Sequence, residues 1–290
     1  MNVDPFVRAL AMIYLAAMMF SIGLLVGGLP KPEKHARRHE RRLLMRALFI
    51  DLVVLPATAW AILRLVGAHG RVAMGLLLLA AAPGSRLLPN LARRAHAELT
   101  LSVEIALWLA KLTAFTAPVT LALLIDVHHV HLHDLQIILA LVCVQLLPYL
   151  AGRSVRRHHS GLASRLRKPL DLVCGVLIVA VVALVVFGGK LEGLVLIGET
   201  GWLAVLAFSA LSLTIGWLSG GKERSVRRSF ALAVNSRDLS LSLTLGVLAF
   251  PGRHVELPLF GAWMITFACN VVFAEIVGRR AHSAGGEVFA

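Results

Sequence analysis

The stretch PGSRLLPN, residues 83–90, interrupts an apolar run that otherwise covers residues 71–95. Pro83, Gly84 and Pro89 disfavour a continuous helix at this place. Proline lacks the backbone N–H that a helix uses, and glycine is among the poorest helix formers. The sequence therefore predicts two short helices joined by an unwound segment.

The composition around this stretch is typical of a membrane protein. Of the 290 residues, 58% are hydrophobic and only 16% are charged, and the mean hydropathy is +0.80. Polar residues are too few to cover a soluble globule. A bilayer is crossed by helices of about 20 apolar residues, whereas an open sheet leaves its backbone groups unsatisfied there. We therefore predict an all-α integral membrane protein.

Nine apolar runs are long enough to be membrane helices. The first run has no cleavage-site pattern after it, so we interpret it as a helix of the mature protein. Residues 1–290 then form a single transmembrane domain with about nine helices. The runs are residues 7–28, 43–66, 71–95, 98–124, 134–151, 169–188, 195–218, 226–249 and 257–278.

Basic residues alternate between the loops that join these runs. Loops 29–42 and 152–168 are rich in Lys and Arg, whereas the alternate loops, on the other side of the membrane, hold few cations. Cytoplasmic loops collect Lys and Arg, so we predict an outer N-terminus, a cytoplasmic tail at 281–290 and the inner membrane of a bacterium. The net charge of +13 is explained by these loops, which indicates a lipid bilayer as partner and no nucleic acid.

A second polar stretch, VNSRD at residues 234–238, interrupts the apolar run at 226–249. This stretch has no proline or glycine, so polarity alone indicates the break. It contains the step Ser236-Arg237, which matches the step Ser85-Arg86 of the first break.

Paired interruptions in corresponding helices are typical of inverted-repeat transporters. Their substrate site lies where the two unwound segments meet. We therefore predict one repeat over about residues 7–125 and a second over about 134–280.

Four segments resemble the bile acid:sodium symporter superfamily. They are MFSIGL (19–24), LPATAWAI (55–62), APGSRLLPNLARRAHAELTLS (82–102) and RRSFALAVNSRDLSLSLTLGVLAFPG (227–252). The resemblance extends over nearly the whole chain. It implies two inverted repeats and a core domain in which two discontinuous helices cross. It also implies a mobile panel domain of helices 1, 5 and 6, and transport of organic anions by alternating access.

The chain departs from this superfamily at the residues that bind sodium in sodium-coupled relatives. Ala231 and Asn235 stand where those relatives carry a Glu and a Gln, so the key carboxylate is missing. Leu88 and Pro89 stand where relatives have a Ser-Asn pair. The side-chain oxygens that would hold sodium are therefore largely absent.

Three further positions complete this comparison with the superfamily. Ser102 keeps one of two hydroxyl ligands, and Ala106 replaces the other. Asp51 stands where relatives have a Gln ligand. Sodium stays possible as a coupling ion, but we expect no other cofactor.

Two arginines offer a fixed positive charge at the crossing, Arg86 and Arg237. Candidate counter-charges are Asp51, Glu104 and Asp238. The guanidinium group stays protonated, and its planar donors match a carboxylate, phosphate or sulfonate. These arginines either lock the crossing or bind the anionic substrate directly. The alternative is a structural ion pair, because an isolated charge at membrane depth costs about 2.5–3.5 kcal/mol.

The candidate site combines both breaks with polar residues on neighbouring helices. Residues near helix ends, such as Asp171 and Glu275, are expected to be solvated instead. The expected crossing residues are Ser85, Arg86, Pro89, Asn90, Asn235, Ser236, Arg237 and Asp238. The supporting residues are Asp51, Ser102, Glu104, Lys111 and Asn270.

The stretch DVHHVHLHD, residues 126–134, is the one histidine-rich segment. Four histidines could hold zinc or copper, but consecutive residues of a short loop need not converge. A solvated, pH-responsive loop is the alternative. The candidate ligands are His128, His129, His131 and His133. Cys143, Cys174 and Cys269 lack metal-like spacing, and we expect no disulfide.

These patterns favour a secondary transporter for a small organic anion. Coupling to protons through Asp51, Glu104 or Asp238, or no coupling at all, stays open as an alternative. So does a membrane sensor or binding protein that keeps the fold without transport. We expect no enzyme, because no nucleophile and base stand at an interpretable spacing.

Overall fold

A computed structural model describes residues 5–26, 37–85, 87–124, 132–188, 198–250 and 255–286. Within these residues the fold is all-helical, so the predicted all-α class is confirmed for them. The elements are α1 (Pro5–Val26), α2 (Arg37–Phe49), a π-helical turn (Ile50–Val54), α3 (Leu55–Val66), α4 (Arg71–Ala80), α5 (Leu88–Arg94), α6 (Leu99–Leu124), α7 (Leu132–His158), α8 (Ser160–Gly188), α9 (Gly198–Ser219), α10 (Arg224–Asn235), α11 (Leu239–Ala249) and α12 (Glu256–Gly286).

Three helical spans within the described part of the chain are long and apolar enough to cross a bilayer. They are Glu40–Val66, Gly198–Ser219 and Glu256–Ala281. Each exceeds the length of about 20 residues that the hydrocarbon core requires. These spans fit an all-α membrane protein.

Both predicted interruptions are present. α4 ends at Ala80 and α5 begins at Leu88, while α10 ends at Asn235 and α11 begins at Leu239. Pro89 has a different role from the one expected, because it lies in the first turn of α5. A proline is well tolerated there, since its missing N–H would have no helical partner.

The predicted loop at 152–168 is wrong, because this segment is almost entirely helical. α7 continues to His158 and α8 begins at Ser160. Arg and Lys are good helix formers, so a basic segment extends a helix beyond its apolar part. For the same reason α2 begins at Arg37, inside the predicted loop 29–42. α12 continues through the start of the predicted tail to Gly286.

α1 packs mainly against α7 and α8. Gly152 of α7 makes this approach possible, because a Cβ there would collide with the carbonyl oxygen of Phe20. Met18 and Met19 of α1 continue the contact into a core cluster that also contains Cys174 of α8, and the cluster extends to α11. This packing brings α1 and α8 next to the second interrupted helix.

The histidine prediction cannot be compared with the structure. His128, His129 and His131 lie outside the described residues, and His133 is placed only as part of the first turn of α7. Metal binding by this segment therefore stays a prediction.

Candidate functional site

The two unwound segments meet and pair with each other. The N–H of Gly84 donates to the carbonyl of Ser236 at 3.0 Å, and the N–H of Asp238 donates to the carbonyl of Ala82 at 3.0 Å. These bonds form an antiparallel bridge between Pro83 and Arg237. Because backbone groups outside a helix need partners in an apolar environment, the pairing explains how both helices can be interrupted at the same place.

Gly84 is required by the geometry of the first segment. Its φ of +93° is a conformation that residues with a Cβ rarely adopt. A Cβ there would also lie 3.3 Å from the Cβ of Leu109 in α6. The Gly in the APG break therefore allows the chain to turn close to α6.

Arg237 lies at the centre of this crossing, with its side chain 0% exposed. Its Nη2 is 3.1 Å from Oδ1 of Asp51 and also donates to the carbonyl of Val234. Its Nη1 donates to the carbonyl of Ala80 at 3.3 Å. The guanidinium also lies over the ring of Phe208, 5.6 Å from its centroid.

The two carbonyls that Arg237 binds come from the ends of two different half-helices. Ala80 is the last residue of α4, and Val234 lies in the last turn of α10. Carbonyls at a helix C-terminus lack intrahelical partners and carry partial negative charge. One guanidinium therefore compensates two helix ends and the carboxylate of Asp51 together.

Asp51 is presented by a π-helical turn that the sequence analysis missed. The turn covers Ile50–Val54, and the N–H of Leu55 donates to the carbonyl of Ile50. Pro56 follows at the start of α3 and has no N–H to offer the carbonyl of Leu52, so the helix widens here. Such turns are frequent at functional sites, and the proline was the signal that indicated this one.

Asp238 does not pair with Arg237, contrary to the structural alternative considered from the sequence. It caps α11 instead. Its Oδ1 accepts from the N–H of Ser240 at 2.9 Å and from the N–H of Leu241 at 3.2 Å. An acidic cap fits the positive end of a helix. The N-terminus of α11 is thus already occupied by a carboxylate of the protein.

Side chains of α12 hold the second segment in place. Asn235 Nδ2 donates to Oδ1 of Asn270 at 3.1 Å, and Asn270 Nδ2 donates to Oγ of Ser236 at 3.4 Å. Trp263 Nε1 donates to the carbonyl of Arg237 at 3.2 Å. The sequence analysis named Asn270 and missed Trp263, since a tryptophan in an apolar run looks like an ordinary membrane residue.

Other expected residues lie apart from the crossing. Among the described residues, no hydrogen bond or ion pair joins Ser102, Glu104 or Lys111 to it. The Ser102 hydroxyl donates to the carbonyl of Glu98, the residue before its own helix begins, and the Lys111 ammonium lies 4.2 Å from the ring centroid of Trp108.

Asn90, another expected residue of the first break, is also not part of this contact network. Asn90 is exposed on α5, and Arg86 lies outside the described residues.

A cavity of about 350 Å³ adjoins the crossing, between α1, α6 and α8. Its wall is mostly apolar, with Met18, Met19 and Leu107 among the residues that line it. Arg237 does not line this cavity. The polar lining of the cavity comes from Ser21, Ser85, Thr113, Arg167, Asp171 and Asp238.

Asp171 lies in the cavity wall, and it is half-exposed as expected, although it is inside α8 and not near a helix end. Its Oδ1 accepts from the hydroxyl of Ser21 on α1 at 2.5 Å. Its Oδ2 is 3.7 Å from Nε of Arg167, one helical turn earlier. Glu275 instead forms a half-exposed ion pair with Arg94 at 3.8 Å, as expected for a helix end.

Comparison with known proteins agrees with this architecture. The sequence profile described as "Sodium Bile acid symporter family" matches residues 12–196, more than half of the chain. The matched part extends from α1 to the end of α8 and includes the first interruption. No curated protein matches the chain. With its interrupted, paired helices and this match, the chain belongs to the sodium bile acid symporter family, a family of membrane transporters.

Proposed function

We propose that this protein is a secondary transporter that carries a small organic anion across the membrane by alternating access. At its crossing, Arg237 provides the positive charge that a dissolved cation provides in sodium-coupled relatives. One observation carries the proposal: the buried guanidinium binds a carboxylate and the carbonyl ends of both half-helices. A coupling cation in a transporter of this kind is held by the same groups.

The geometry favours a locking role for Arg237 over direct binding of the substrate. Its side chain is fully buried and does not line the cavity. Both Nη atoms have acceptors within the protein, and Nε is buried without one, so an anion that binds the Nη atoms would have to displace Asp51 or a helix end. The charge of Arg237 is therefore committed to the fold of the crossing.

Few groups at this crossing are left for sodium, although Oδ2 of Asp51 and Oδ1 of Asn235 are buried there without a hydrogen-bond partner. Arg237 already compensates the C-termini of α4 and α10, and Asp238 caps the N-terminus of α11. Leu88 and Ala231, buried where relatives carry oxygen ligands, provide none. An added cation would also meet the repulsion of the guanidinium in a poorly solvated place. We therefore propose transport without sodium at this site.

The packing suggests which parts move. α1, α7 and α8 pack on one another and would form the panel, while the interrupted helices and their neighbours would form the core. The cavity lies between these groups, as alternating access requires. Positive residues at the α7–α8 junction support a cytoplasmic position for this junction in a bacterial inner membrane, with the N-terminus outside. The two repeats, about residues 7–125 and 134–280, each contain one interruption.

Counterflow in proteoliposomes tests the proposal. Vesicles loaded with unlabelled acetate, phenylacetate or cholate would be diluted into buffer with the labelled acid, in sodium chloride or in choline chloride. We expect transient, saturable accumulation of at least one acid, equal in both salts. The variant Arg237→Gln should lose accumulation, because its half-helices are no longer held together.

Other outcomes of this experiment separate the alternatives. Accumulation only with sodium would contradict the role of Arg237, and accumulation only with a pH gradient would favour proton coupling. Saturable binding of these acids without counterflow would favour a sensor or binding protein.

A further inference from the structure

Arg167 is the one cationic side chain among the described residues that line the cavity. The other charged groups there are the carboxylates of Asp171 and Asp238. Asp238 is engaged as the cap of α11. Arg167 and Asp171 both line the cavity and are 49% and 46% exposed, so both side chains are accessible.

Asp171 holds Arg167 loosely. The distance of 3.7 Å between Nε and Oδ2 exceeds the range of about 2.7–2.9 Å that is usual for a charge-assisted hydrogen bond. The shorter contact of Asp171 is with the hydroxyl of Ser21 on the neighbouring helix α1, at 2.5 Å. Asp171 is therefore positioned by α1, and Arg167 can change its partner at small cost.

A carboxylate of a ligand in this cavity would be a better partner for Arg167. The planar guanidinium binds a carboxylate through two parallel N–H···O bonds when the approach is unconstrained. Asp171 cannot approach in this way, because it lies one turn along the same helix and is held by Ser21.

We infer that Arg167 is the anchor for the substrate's carboxylate, and that Asp171 is an internal carboxylate which the substrate displaces from it. This inference rests on the proposed function, because it takes the ligand of the cavity to be the transported anion. The ligand class is a monocarboxylate with a compact apolar body. The cavity of about 350 Å³ is near the small end of ligand pockets, which range over about 300–1,000 Å³. Apolar residues such as Met18, Met19 and Leu107 provide most of its wall.

Equilibrium binding to the purified protein in detergent tests this assignment. The probes are acetate, phenylacetate and cholate, each compared with its neutral amide by calorimetric titration. We expect at least one acid to bind more tightly than its amide. Arg167→Gln should weaken binding of that acid by about tenfold or more, the effect of losing one charge-assisted hydrogen bond.

Two further variants sharpen the test. Asp171→Asn should strengthen binding by up to about fivefold, because the competing partner is removed. Arg165→Gln is the matched control, since Arg165 is an exposed arginine of the same helix that does not line the cavity. It should bind like the unaltered protein, and thermal unfolding of each variant checks that it is folded.

The inference is overturned if no acid binds better than its amide, or if folded Arg167→Gln binds as tightly as the unaltered protein. Because equilibrium binding needs no turnover, these results differ from a failure of the proposed function. Binding through Arg167 without counterflow would overturn transport alone. Counterflow that survives Arg167→Gln would overturn the anchor alone.

Discussion

Two Arg–Asp pairs in the described part of this molecule differ in almost every physical respect. Arg237 and Asp51 come from segments far apart in sequence, are fully buried and are 3.1 Å apart. Arg167 and Asp171 are one turn apart on α8, are about half-exposed and are separated by 3.7 Å. Identical side-chain chemistry thus occurs once inside the crossing and once in the wall of the cavity.

The difference shows how burial assigns separate roles to the same ion pair. A buried charge that loses its partner has no water to replace it, so the pair at the crossing is fixed. An exposed pair exchanges its partner with water or a ligand at little cost. We propose that the protein uses the first pair to hold its shape and the second to recognise its substrate.

Breaking the buried pair should have the largest effect. Arg237→Gln leaves Asp51 as an uncompensated buried carboxylate and frees the carbonyls of Ala80 and Val234. We expect the free energy of unfolding to fall by about 3–5 kcal/mol, measured by denaturant unfolding in detergent micelles.

The double variant Arg237→Gln with Asp51→Asn is the matched control for this change. It removes both charges, so it should recover part of the loss. If Arg237→Gln alone were as stable as the unaltered protein, the buried ion pair would not be essential for stability.

Removing the cap of α11 should have an intermediate effect. Asp238→Ala deletes the acceptor for the N–H groups of Ser240 and Leu241, and we expect a loss of about 0.5–2 kcal/mol in the same assay. Asp238→Asn keeps a cap acceptor and should lose less. If alanine and asparagine were equally stable, the cap would not be the main role of this residue.

Breaking the exposed pair should have the smallest effect on stability. Arg167→Gln is expected to change the free energy of unfolding by less than about 1 kcal/mol, since exposed ion pairs contribute little. A loss as large as that of Arg237→Gln would remove the distinction between the two pairs.

Local sequence signals predicted the interruptions and their pairing well. Pro83, Gly84 and Pro89 together disfavour a continuous helix, and Arg237 is conspicuous in an apolar run. Asp51 was named as a counter-charge because it is acidic and because resemblance to the superfamily placed it where relatives have a Gln ligand. These features depend on residue type alone or on a shared pattern, so the sequence contains them.

The cavity wall was not predictable in the same way. Asp171 looked like a solvated helix end, because its contact with Ser21 joins residues 150 positions apart and exists only after α1 packs on α8. The basic segment at 152–168 looked like a loop, because charge indicates solvent exposure and does not exclude a helix. Tertiary packing therefore decided the roles that sequence alone left open.

The most direct test of whether Arg237 replaces a bound cation is thermal unfolding of the purified protein. It would be measured in sodium chloride and in choline chloride at equal ionic strength. We expect the same unfolding temperature in both salts, because the guanidinium already binds Oδ1 of Asp51 and the carbonyl ends of α4 and α10. A higher unfolding temperature in sodium that saturates with concentration would show a specific sodium site, as expected for a ligand that binds the folded state. That result would contradict the role proposed for Arg237.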